Sequence, residues 1–243
     1  MRAIVLNSYG GPEVLELLDV PAPEPGPDEV LVDVVATALN RADLLQRMGL
    51  DAGPAMDHEI PGLEFSGHVL AVGERVRTVE PGQPVMGIVG GGSYAEQVVT
   101  HERMLLPVPE GIALDDAAAL PEVFLTAWDA LVVQGGLTSG RLALVHGGAS
   151  GVGTAAIQVV KALGGTIVVT ASTRKVEACR VLGADLAIDY TAEDFVSAVE
   201  EFTHGQGVDT VLDVIGGEYV DRNLDCLRTG GRIIQVGVMG GGG

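Results

Sequence analysis

The stretch Leu142-Ala-Leu-Val-His-Gly-Gly-Ala-Ser-Gly-Val-Gly153 decides the fold. A short apolar run that suits a buried strand leads into a glycine-rich turn, and an alanine-rich segment of helical length follows. This order places backbone N–H groups and the positive end of a helix dipole where a pyrophosphate can bind. The turn reads Gly148-x-Ser150-x-x-Gly153, so a serine replaces the second glycine of the dinucleotide fingerprint. An ordinary tight turn between a strand and a helix is the alternative.

The alternation of strand and helix continues on the C-terminal side of this turn. Short apolar runs suit parallel strands, and they are residues 142–145, 166–170, 186–188, 208–214 and 232–236. The segments between them suit crossover helices, and they are residues 151–163, 174–182, 192–203 and 219–227. The sequence therefore predicts an α/β fold with a doubly wound parallel sheet of five strands. That four more strand and helix units follow the turn favours a dinucleotide site over an ordinary turn.

The N-terminal part has a different pattern of short strands separated by glycine and proline. The predicted strands are residues 2–7, 14–20, 29–36, 85–89 and 94–99. The first two suit a hairpin, and one helix is predicted over 41–48. We therefore expect a β-rich domain over 1–117 and a dinucleotide-binding domain over 118–243.

Charge and composition exclude several classes of protein. The chain has 33 Asp and Glu residues against 14 Lys and Arg residues, a net charge of -19 that repels phosphate backbones and anionic lipid surfaces. Nucleic acid and membranes are therefore not expected partners. Carboxylates interrupt the long apolar stretches, so neither a transmembrane span nor a signal peptide is predicted. The two cysteines, Cys179 and Cys226, favour a metal-free protein in the reducing cytoplasm.

The end of the second predicted strand distinguishes the two nicotinamide dinucleotides. A carboxylate about 20 residues beyond the glycine turn accepts hydrogen bonds from the ribose hydroxyls of NADH and repels the 2′-phosphate of NADPH. Here the segment reads Thr170-Ala-Ser-Thr-Arg-Lys175 and contains no acid. Lys175 is one of two lysines in the chain, and cations at a helix start oppose the helix dipole. The segment predicts NADPH, and a solvated helix start is the alternative for Arg174 and Lys175.

Motifs along the whole chain resemble a known family. They are Ala38-Leu-Asn-Arg-Ala-Asp-Leu-Leu-Gln-Arg47, Pro61-Gly-Leu-Glu-Phe-Ser-Gly67, Pro121-Glu122 with Thr126-Ala127, and His146-Gly-Gly-Ala-Ser-Gly-Val-Gly-Thr-Ala-Ala-Ile-Gln158. Together they resemble the medium-chain dehydrogenases/reductases, and most of all their zinc-free NADPH quinone oxidoreductase branch, the zeta-crystallin-like proteins. The resemblance implies a GroES-like substrate domain followed by a Rossmann domain, with the active site in the cleft between them.

The resemblance also implies the roles of individual residues. Those implied to bind the cofactor are Ser150, Gly151 and Val152 at the pyrophosphate, Ser172, Lys175 and Tyr190 at the adenosine 2′-phosphate, and Thr126, Val214 and Val238 at the nicotinamide. For Tyr190, packing in the core is the alternative. Asn40 is implied to reach the nicotinamide ribose or the substrate carbonyl, and it is our candidate for polarising the acceptor oxygen. Asp43 and Glu64 are expected to hold its surroundings in place, and a purely structural role as buried ion-pairing groups of the fold is the alternative for both. Tyr94 either contacts substrate or packs.

Zinc-dependent relatives take metal ligands from a cysteine near the position of Asn40 and from the histidine of a Gly-His-Glu triplet. This chain has Gly62-Leu63-Glu64 there, and an alkyl side chain coordinates no metal. Without a Lewis acid, we expect reduction of acceptors that are already electron-poor, such as quinones and conjugated enals or enones. Many relatives also carry a tyrosine where this chain has Leu50-Asp51, so no phenol donor is expected from that loop.

The last departure from the family is at the C-terminus. The sequence stops at Gly243, soon after the fifth predicted strand. Relatives continue with a sixth strand that supplies the dimer edge and a segment that returns to the substrate domain. We therefore expect the C-terminal part of the family fold to be absent, which puts the family's homodimer or homotetramer in doubt.

Three functions compete at this point. The first is NADPH-dependent hydride transfer to a quinone or a related electron-poor acceptor, and an enoyl or alkenal reductase is its close alternative because the same pocket serves both. The second is a non-catalytic NADPH-binding protein, which the short chain and the missing tyrosine favour. The third is RNA binding, as in some relatives, and the net charge of -19 disfavours it.

Overall fold

Strands and helices alternate in the C-terminal half of the chain, as the glycine turn predicts. The computed structural model describes residues 1–50 and 53–240, and it divides into two units, Met1–Glu122 and Val123–Gly243. Asp51, Ala52 and residues 241–243 of the terminal glycine run lie outside the described residues.

The first unit consists mainly of antiparallel strands. They are β1 (Arg2–Leu6), β2 (Leu15–Asp19), β3 (Glu29–Thr37), β4 (Glu64–Val72), β5 (Pro84–Ile88), β6 (Gln97–His101) and β7 (Leu105–Pro107). Strands β1 and β2 form the predicted hairpin, and the other five form a sheet in the order β6-β3-β4-β5-β7. Alternating residues of this sheet form a buried core around Val30, Val32 and Phe65. Two helices, α1 (Arg41–Arg47) and α2 (Leu114–Ala117), complete the unit.

The sequence predicts the start of one strand of this unit three residues too early. We predict a strand over 94–99, whereas β6 begins at Gln97. The residues before it bind to other segments: the N–H of Tyr94 donates to Pro61 O, the carbonyl of Tyr94 accepts from Ile4, and Ala95 pairs with Ala3 in an isolated bridge. These contacts separate Tyr94 from the strand and bring it close to α1.

The second unit is a doubly wound parallel sheet. Its strands are β8 (Leu142–His146), β9 (Thr166–Ala171), β10 (Leu186–Asp189), β11 (Val208–Asp213) and β12 (Leu227–Gln235), in the order β10-β9-β8-β11-β12. Its helices are α4 (Gly151–Ala162), α5 (Thr173–Val181), α6 (Phe195–Thr203) and α7 (Tyr219–Cys226). From β8, the strands that follow in sequence first extend the sheet to one side, through β9 and β10, and then to the other, through β11 and β12. In doubly wound sheets, a crevice opens at the carboxyl ends of the strands where the direction switches, here between β8 and β11. This confirms the predicted fold class.

Both faces of this sheet are buried, which explains the continuous apolar runs of its strands. Ala143 and Val145 belong to one buried cluster, together with residues of α4, whereas Leu144 belongs to the opposite cluster, together with residues of α6. Residues of β9 alternate between the two clusters in the same way. A half-exposed sheet would instead show polar residues at every second position.

Two predicted starts in this unit differ from the structure by three residues or more. Strand β12 begins at Leu227, five residues before the predicted start at Arg232, and its register with β11 shifts between Val208 and Thr210. The glycines at 230 and 231 concealed the early part of this strand because they interrupt its apolar pattern. Helix α6 begins at Phe195 rather than at 192, because the carboxylate of Asp194 accepts from Ser197 N at 3.0 Å and caps the helix there.

The division between the units lies at Glu122, five residues after the boundary that we predict from sequence. Hydrogen bonds connect residues on both sides of the predicted boundary to strand β4. Ser66 Oγ donates to the carbonyl of Leu114 at 2.5 Å, and the N–H of Glu122 donates to Glu64 Oε2 at 2.8 Å. Helix α3 (Pro121–Trp128) starts at this division and continues as a π-helical turn over Asp129–Gln134.

Within the described ranges 1–50 and 53–240, the helices are all too short or too polar to cross a lipid bilayer.

The buried centre of the parallel sheet allows a direct test of this packing. Leu144 is completely buried in β8, whereas Leu224 on α7 is 56% exposed. We expect Leu144→Ala to lower the free energy of unfolding by about 2–5 kcal/mol, because the substitution leaves a cavity. Leu224→Ala is the matched control and should change it by about 0.5 kcal/mol or less. Urea denaturation measures both, and equal losses would contradict the packing described here.

Candidate functional site

The glycine turn after β8 is held in a conformation that only small residues allow. Gly147 adopts a φ of +72°, which L side chains rarely occupy. A Cβ on Gly153 would overlap the carbonyl oxygen of Gly147 and the backbone of Gly148, so α4 starts in direct contact with the turn. A Cβ on Gly148 would collide with Val169 of the neighbouring strand. The turn is therefore closely packed, and the N–H groups of Gly147, Gly148, Ser150 and Gly153 all donate hydrogen bonds within the protein.

Ser150 explains the departure from the glycine fingerprint. It is the N-cap of α4, and its Oγ accepts a hydrogen bond from Gly153 N at 3.1 Å. A glycine at this position would allow a close approach of phosphate, but it could not cap the helix with a side chain. The serine provides a cap and also places a hydroxyl at the turn.

A cavity of about 400 Å³ lies at the carboxyl ends of the strands. The turn forms one wall, and residues that follow β9, β10 and β11 form the others. The lining residues are Gly147, Ala149, Ser150, Thr170, Ala171, Ser172, Lys175, Tyr190, Ile215, Tyr219, Met239 and Gly240. This is the position at which doubly wound sheets bind their ligands.

The far wall of the cavity carries hydroxyls and a cation. Ser172 is the N-cap residue of α5, Lys175 lies in the first turn of that helix, and Tyr190 follows β10 with its N–H bonded to Ala171 O at 3.2 Å. Lys161 forms an ion pair with Asp185 at 2.8 Å, whereas Lys175 is exposed and forms no ion pair with any residue that the structure describes. The described residues that line this cavity include no carboxylate, in a chain with a net charge of -19.

The structure brings four of the predicted cofactor-binding residues together. Ser150, Ser172, Lys175 and Tyr190 line this single cavity, although up to 40 residues separate them in the sequence. The other predicted residues of this unit do not line it.

Gly151 and Val152 are the first residues of α4, and Thr126 lies on α3. Val214 directly follows β11 and packs near Gly147, while Val238 is 57% exposed and is next to Met239.

Several lining residues were not recognised in the sequence. Thr170 and Ala171 end β9, whereas Ile215 and Tyr219 follow the end of β11. Their position after strands of a parallel sheet was a usable signal, because all such ends meet at one edge. No sequence pattern indicated that Met239 lines the cavity, since its position depends on the hydrogen bond from its N–H to Val214 O at 3.3 Å.

Asn40 belongs to the first unit and is held by a buried carboxylate. It precedes α1, and its Nδ2 donates to Glu64 Oε1 at 2.8 Å. The other oxygen of Glu64 accepts from the N–H of Glu122 at 2.8 Å, and Glu64 is only 1% exposed. Because a carboxylate only accepts, this contact fixes which end of the Asn40 amide faces Glu64. The second Nδ2 hydrogen has no acceptor among residues 1–50 and 53–240, which the structure describes.

A second carboxylate supports the same segment. Asp43 Oδ2 accepts from the backbone N–H of Asn40 and from the hydroxyl of Tyr94, both at 2.7 Å. Tyr94 thus binds α1 rather than merely filling space, and its hydroxyl is engaged by Asp43. Asp51, at the position where relatives carry a tyrosine, lies outside the described residues.

Burial changes the acidity of this group of residues. Desolvation raises the pKa of Glu64, although hydrogen bonds from Glu122 and Asn40 oppose the change. Burial and the hydrogen bond to Asp43 raise the pKa of the Tyr94 phenol well above its usual value. The phenol therefore stays protonated and keeps donating to Asp43.

Among residues 1–50 and 53–240, no three His, Cys, Asp or Glu side chains are grouped so that they could hold a metal ion. Leu63, at the position of the zinc-binding histidine of relatives, is partly buried just before β4.

Comparison with known proteins matches both units. The family model "Alcohol dehydrogenase GroES-like domain" matches residues 26–110, and the model "Zinc-binding dehydrogenase" matches residues 151–243. A phenolphthiocerol/phthiocerol polyketide synthase protein of Mycobacterium tuberculosis is 36% identical over 96% of this chain. The chain spans only 11% of that relative's length.

Solved structures match over almost the whole chain. The quinone oxidoreductase of Pseudomonas syringae pv. Tomato DC3000 is 33% identical with a TM-score of 0.90, and the match covers 98% of this chain and 73% of that one. The CurK enoyl reductase is 29% identical with a TM-score of 0.91, covering 100% and 75%. The Escherichia coli quinone oxidoreductase complexed with NADPH is 29% identical with a TM-score of 0.89, covering 100% and 76%. The chain belongs to the medium-chain dehydrogenase/reductase superfamily, in its zinc-free quinone oxidoreductase branch.

The contact between α4 and the turn allows a test of the site's construction. We expect Gly153→Ala to lower the free energy of unfolding by about 1–3 kcal/mol, because the new methyl group meets backbone that cannot yield. Gly90→Ala is the control, since its Cβ would lie 3.8 Å from the nearest atom, Cγ of Pro54. Urea denaturation compares the two variants. If Gly153→Ala were as stable as Gly90→Ala, the close packing of α4 on the turn would be refuted.

Proposed function

We propose that this chain binds NADPH and reduces a quinone, or a related electron-poor acceptor, by hydride transfer without zinc. The cavity wall opposite the glycine turn carries the proposal. Lys175, Ser172 and Tyr190 supply an ammonium group and hydroxyls, and no carboxylate stands among the described lining residues. Such a wall suits a 2′-phosphate, which an acid would repel.

The glycine turn supports binding of the cofactor's pyrophosphate. Neither Gly148 nor Gly153 has room for a Cβ, so the start of α4 lies directly against the turn, and the positive end of a helix dipole favours an anion there. In this proposal Ser150, Gly151 and Val152 hold the pyrophosphate, and Thr126, Val214 and Val238 approach the nicotinamide. The Escherichia coli relative described as complexed with NADPH supports the same assignment.

Bound NADPH would supply a hydride from C4 of its nicotinamide ring. Asn40 has the task of donating a hydrogen bond to the acceptor's oxygen, because Glu64 fixes one end of its amide and leaves an N–H available. Burial of Glu64 keeps this orientation rigid. Solvent can supply the proton to a reduced quinone, so the proposal requires no dedicated acid.

The proposed partner is a small molecule in a reducing, cytoplasmic environment. Cys179 and Cys226 are both buried and unpaired, which fits such a compartment. An enoyl or alkenal reductase is the second candidate, and the match to the CurK enoyl reductase favours it. The two candidates differ in the acceptor and share the cofactor site.

The two lysines of the chain provide a matched test of the cofactor. We expect Lys175→Ala to weaken NADPH binding about tenfold and to leave NADH binding unchanged, because only NADPH carries the 2′-phosphate. Fluorescence titration of both dinucleotides measures the Kd values. Lys161→Ala removes the same charge from an ion pair with Asp185 outside the cavity and should alter neither Kd. Equal affinity of the wild-type chain for NADH and NADPH would refute the 2′-phosphate assignment.

A substitution of Asn40 tests its proposed role as hydrogen-bond donor to the acceptor oxygen. We expect Asn40→Ala to lower kcat about tenfold to a hundredfold, because a donor to the acceptor oxygen is lost. The loss should be larger with a conjugated enal than with a quinone, since the aromatic hydroquinone monoanion formed from a quinone is more stable than the enolate formed from an enal. Asn7→Ala, an exposed amide on the β1–β2 hairpin, is the control and should behave as wild type.

Steady-state assays of a small quinone and an enal with NADPH give these values and separate the two candidates. Binding of NADPH with no turnover of either acceptor would refute both enzyme proposals and favour a non-catalytic protein.

A further inference from the structure

Next to the cavity, four buried polar side chains form a hydrogen-bond network to which the proposed function assigns no role. Its members are His146 at the end of β8, Thr170 near the end of β9, Asp213 at the end of β11, and Asn223 on α7. None of these side chains is more than 2% exposed. Buried polar groups of this kind are costly unless each one is hydrogen-bonded, so their contacts decide what they do.

Both ring nitrogens of His146 are bonded. Nε2 lies 2.7 Å from Asn223 Oδ1, and Nδ1 lies 3.0 Å from Thr170 Oγ1. Asn223 extends this hydrogen-bond network, because its Nδ2 donates to Asp213 Oδ2 at 3.0 Å. The rings of Phe195 and Tyr219 meet the imidazole edge-on, at centroid distances of 4.8 and 4.9 Å.

The carboxylate of Asp213 sets the direction of the hydrogen bonds in this network. A carboxylate only accepts, so the Asn223 amide must present its nitrogen to Asp213 and its oxygen to His146. Nε2 of His146 must then carry a proton. A neutral ring has its acceptor at Nδ1, and the hydroxyl of Thr170 donates to it. Burial lowers the pKa of His146, which favours this neutral form, although the bond to Asn223 and the charge of Asp213 oppose the change.

The two ends of this hydrogen-bond network reach two different turns that line the cavity. At one end, Thr170 Oγ1 accepts from Gly147 N of the glycine turn at 3.4 Å. At the other end, Asp213 Oδ1 accepts from Ile215 N at 2.7 Å and from Gly216 N at 3.0 Å. Gly147 and Ile215 both line the cavity. One continuous set of hydrogen bonds thus connects the turn after β8 with the turn after β11.

We propose that His146, protonated on Nε2 and neutral, is a positioning residue that holds the Gly147 and Ile215 turns in register for the pyrophosphate half of the dinucleotide. The inference rests on the proposed function. A rigid crevice matters because a ligand that contacts both turns binds most tightly when the distance between them is already correct in the free protein. Among the residues that the structure describes, no hydrogen bond joins this network to the side chains of Lys175 or Tyr190.

Thr170 provides the variant that tests this role, because valine has the shape of threonine without its hydroxyl. We expect Thr170→Val to weaken NADPH binding about tenfold, and Thr170→Ser, which keeps the hydroxyl, to restore it to within about threefold of wild type. Adenosine 2′-monophosphate lacks the pyrophosphate, and its Kd should be unchanged in both variants. Thr210→Val is the matched control: Thr210 is also buried, but its hydroxyl donates to Gly135 O at 3.2 Å, away from the cavity.

Four outcomes distinguish the proposals. Unchanged NADPH affinity in Thr170→Val, or a loss no larger than in Thr210→Val, would overturn the inference alone. A parallel loss of adenosine 2′-monophosphate binding would do the same, since the effect would then be general. Failure of the wild-type chain to bind NADPH would overturn the proposed function and the inference with it. Thermal melting of each variant confirms that titrations are made on folded protein.

A measurement without any ligand checks the protonation state. The ¹⁵N NMR signals of the His146 ring at neutral pH should show one protonated and one bare nitrogen, with the proton on Nε2. A doubly protonated ring, or a proton on Nδ1, would overturn the proposed direction of the hydrogen bonds.

Discussion

The close approach of α4 to the glycine turn is the constraint on which the second unit depends. Because Gly153 has no side chain, the helix begins directly against the carbonyl of Gly147. This contact sets the angle at which α4 leaves β8 and lets Ala155 and Ala156 pack on the sheet. It also places the start of the helix next to Ser150, which lines the cavity. Fold and binding site therefore share one steric origin.

Buried carboxylates orient the polar groups of each unit. In the first, Glu64 accepts from Asn40 and from Glu122, so the Asn40 amide has one permitted orientation. In the second, Asp213 determines the orientation of Asn223 and, through it, the tautomer of His146. A carboxylate has no donor when ionised, which makes it an unambiguous reference point in a network of amides, hydroxyls and imidazoles.

The chain also shows how a family motif tolerates a change. Ser150 replaces a fingerprint glycine, yet the helix gains a side-chain cap and the cavity gains a hydroxyl. Leu63 replaces the metal-binding histidine of zinc-dependent relatives and is partly buried before β4. Each change keeps the backbone of its family position while altering the chemistry that the position offers.

The sequence alone determined the doubly wound sheet and the β-rich first unit, because periodicity and glycine position are local signals. The end of the second strand indicated the segment from Ser172 to Lys175, whereas Ser150 and Tyr190 came from the resemblance to the family. The sequence missed the start of β12, where Gly230 and Gly231 interrupt the apolar pattern, and it placed β6 too early. It also passed over Thr170, Asp213 and Asn223. Only the tertiary structure joins these three through His146, since their partners lie up to 77 residues apart and burial, which no local pattern records, decides which hydrogen bonds must form.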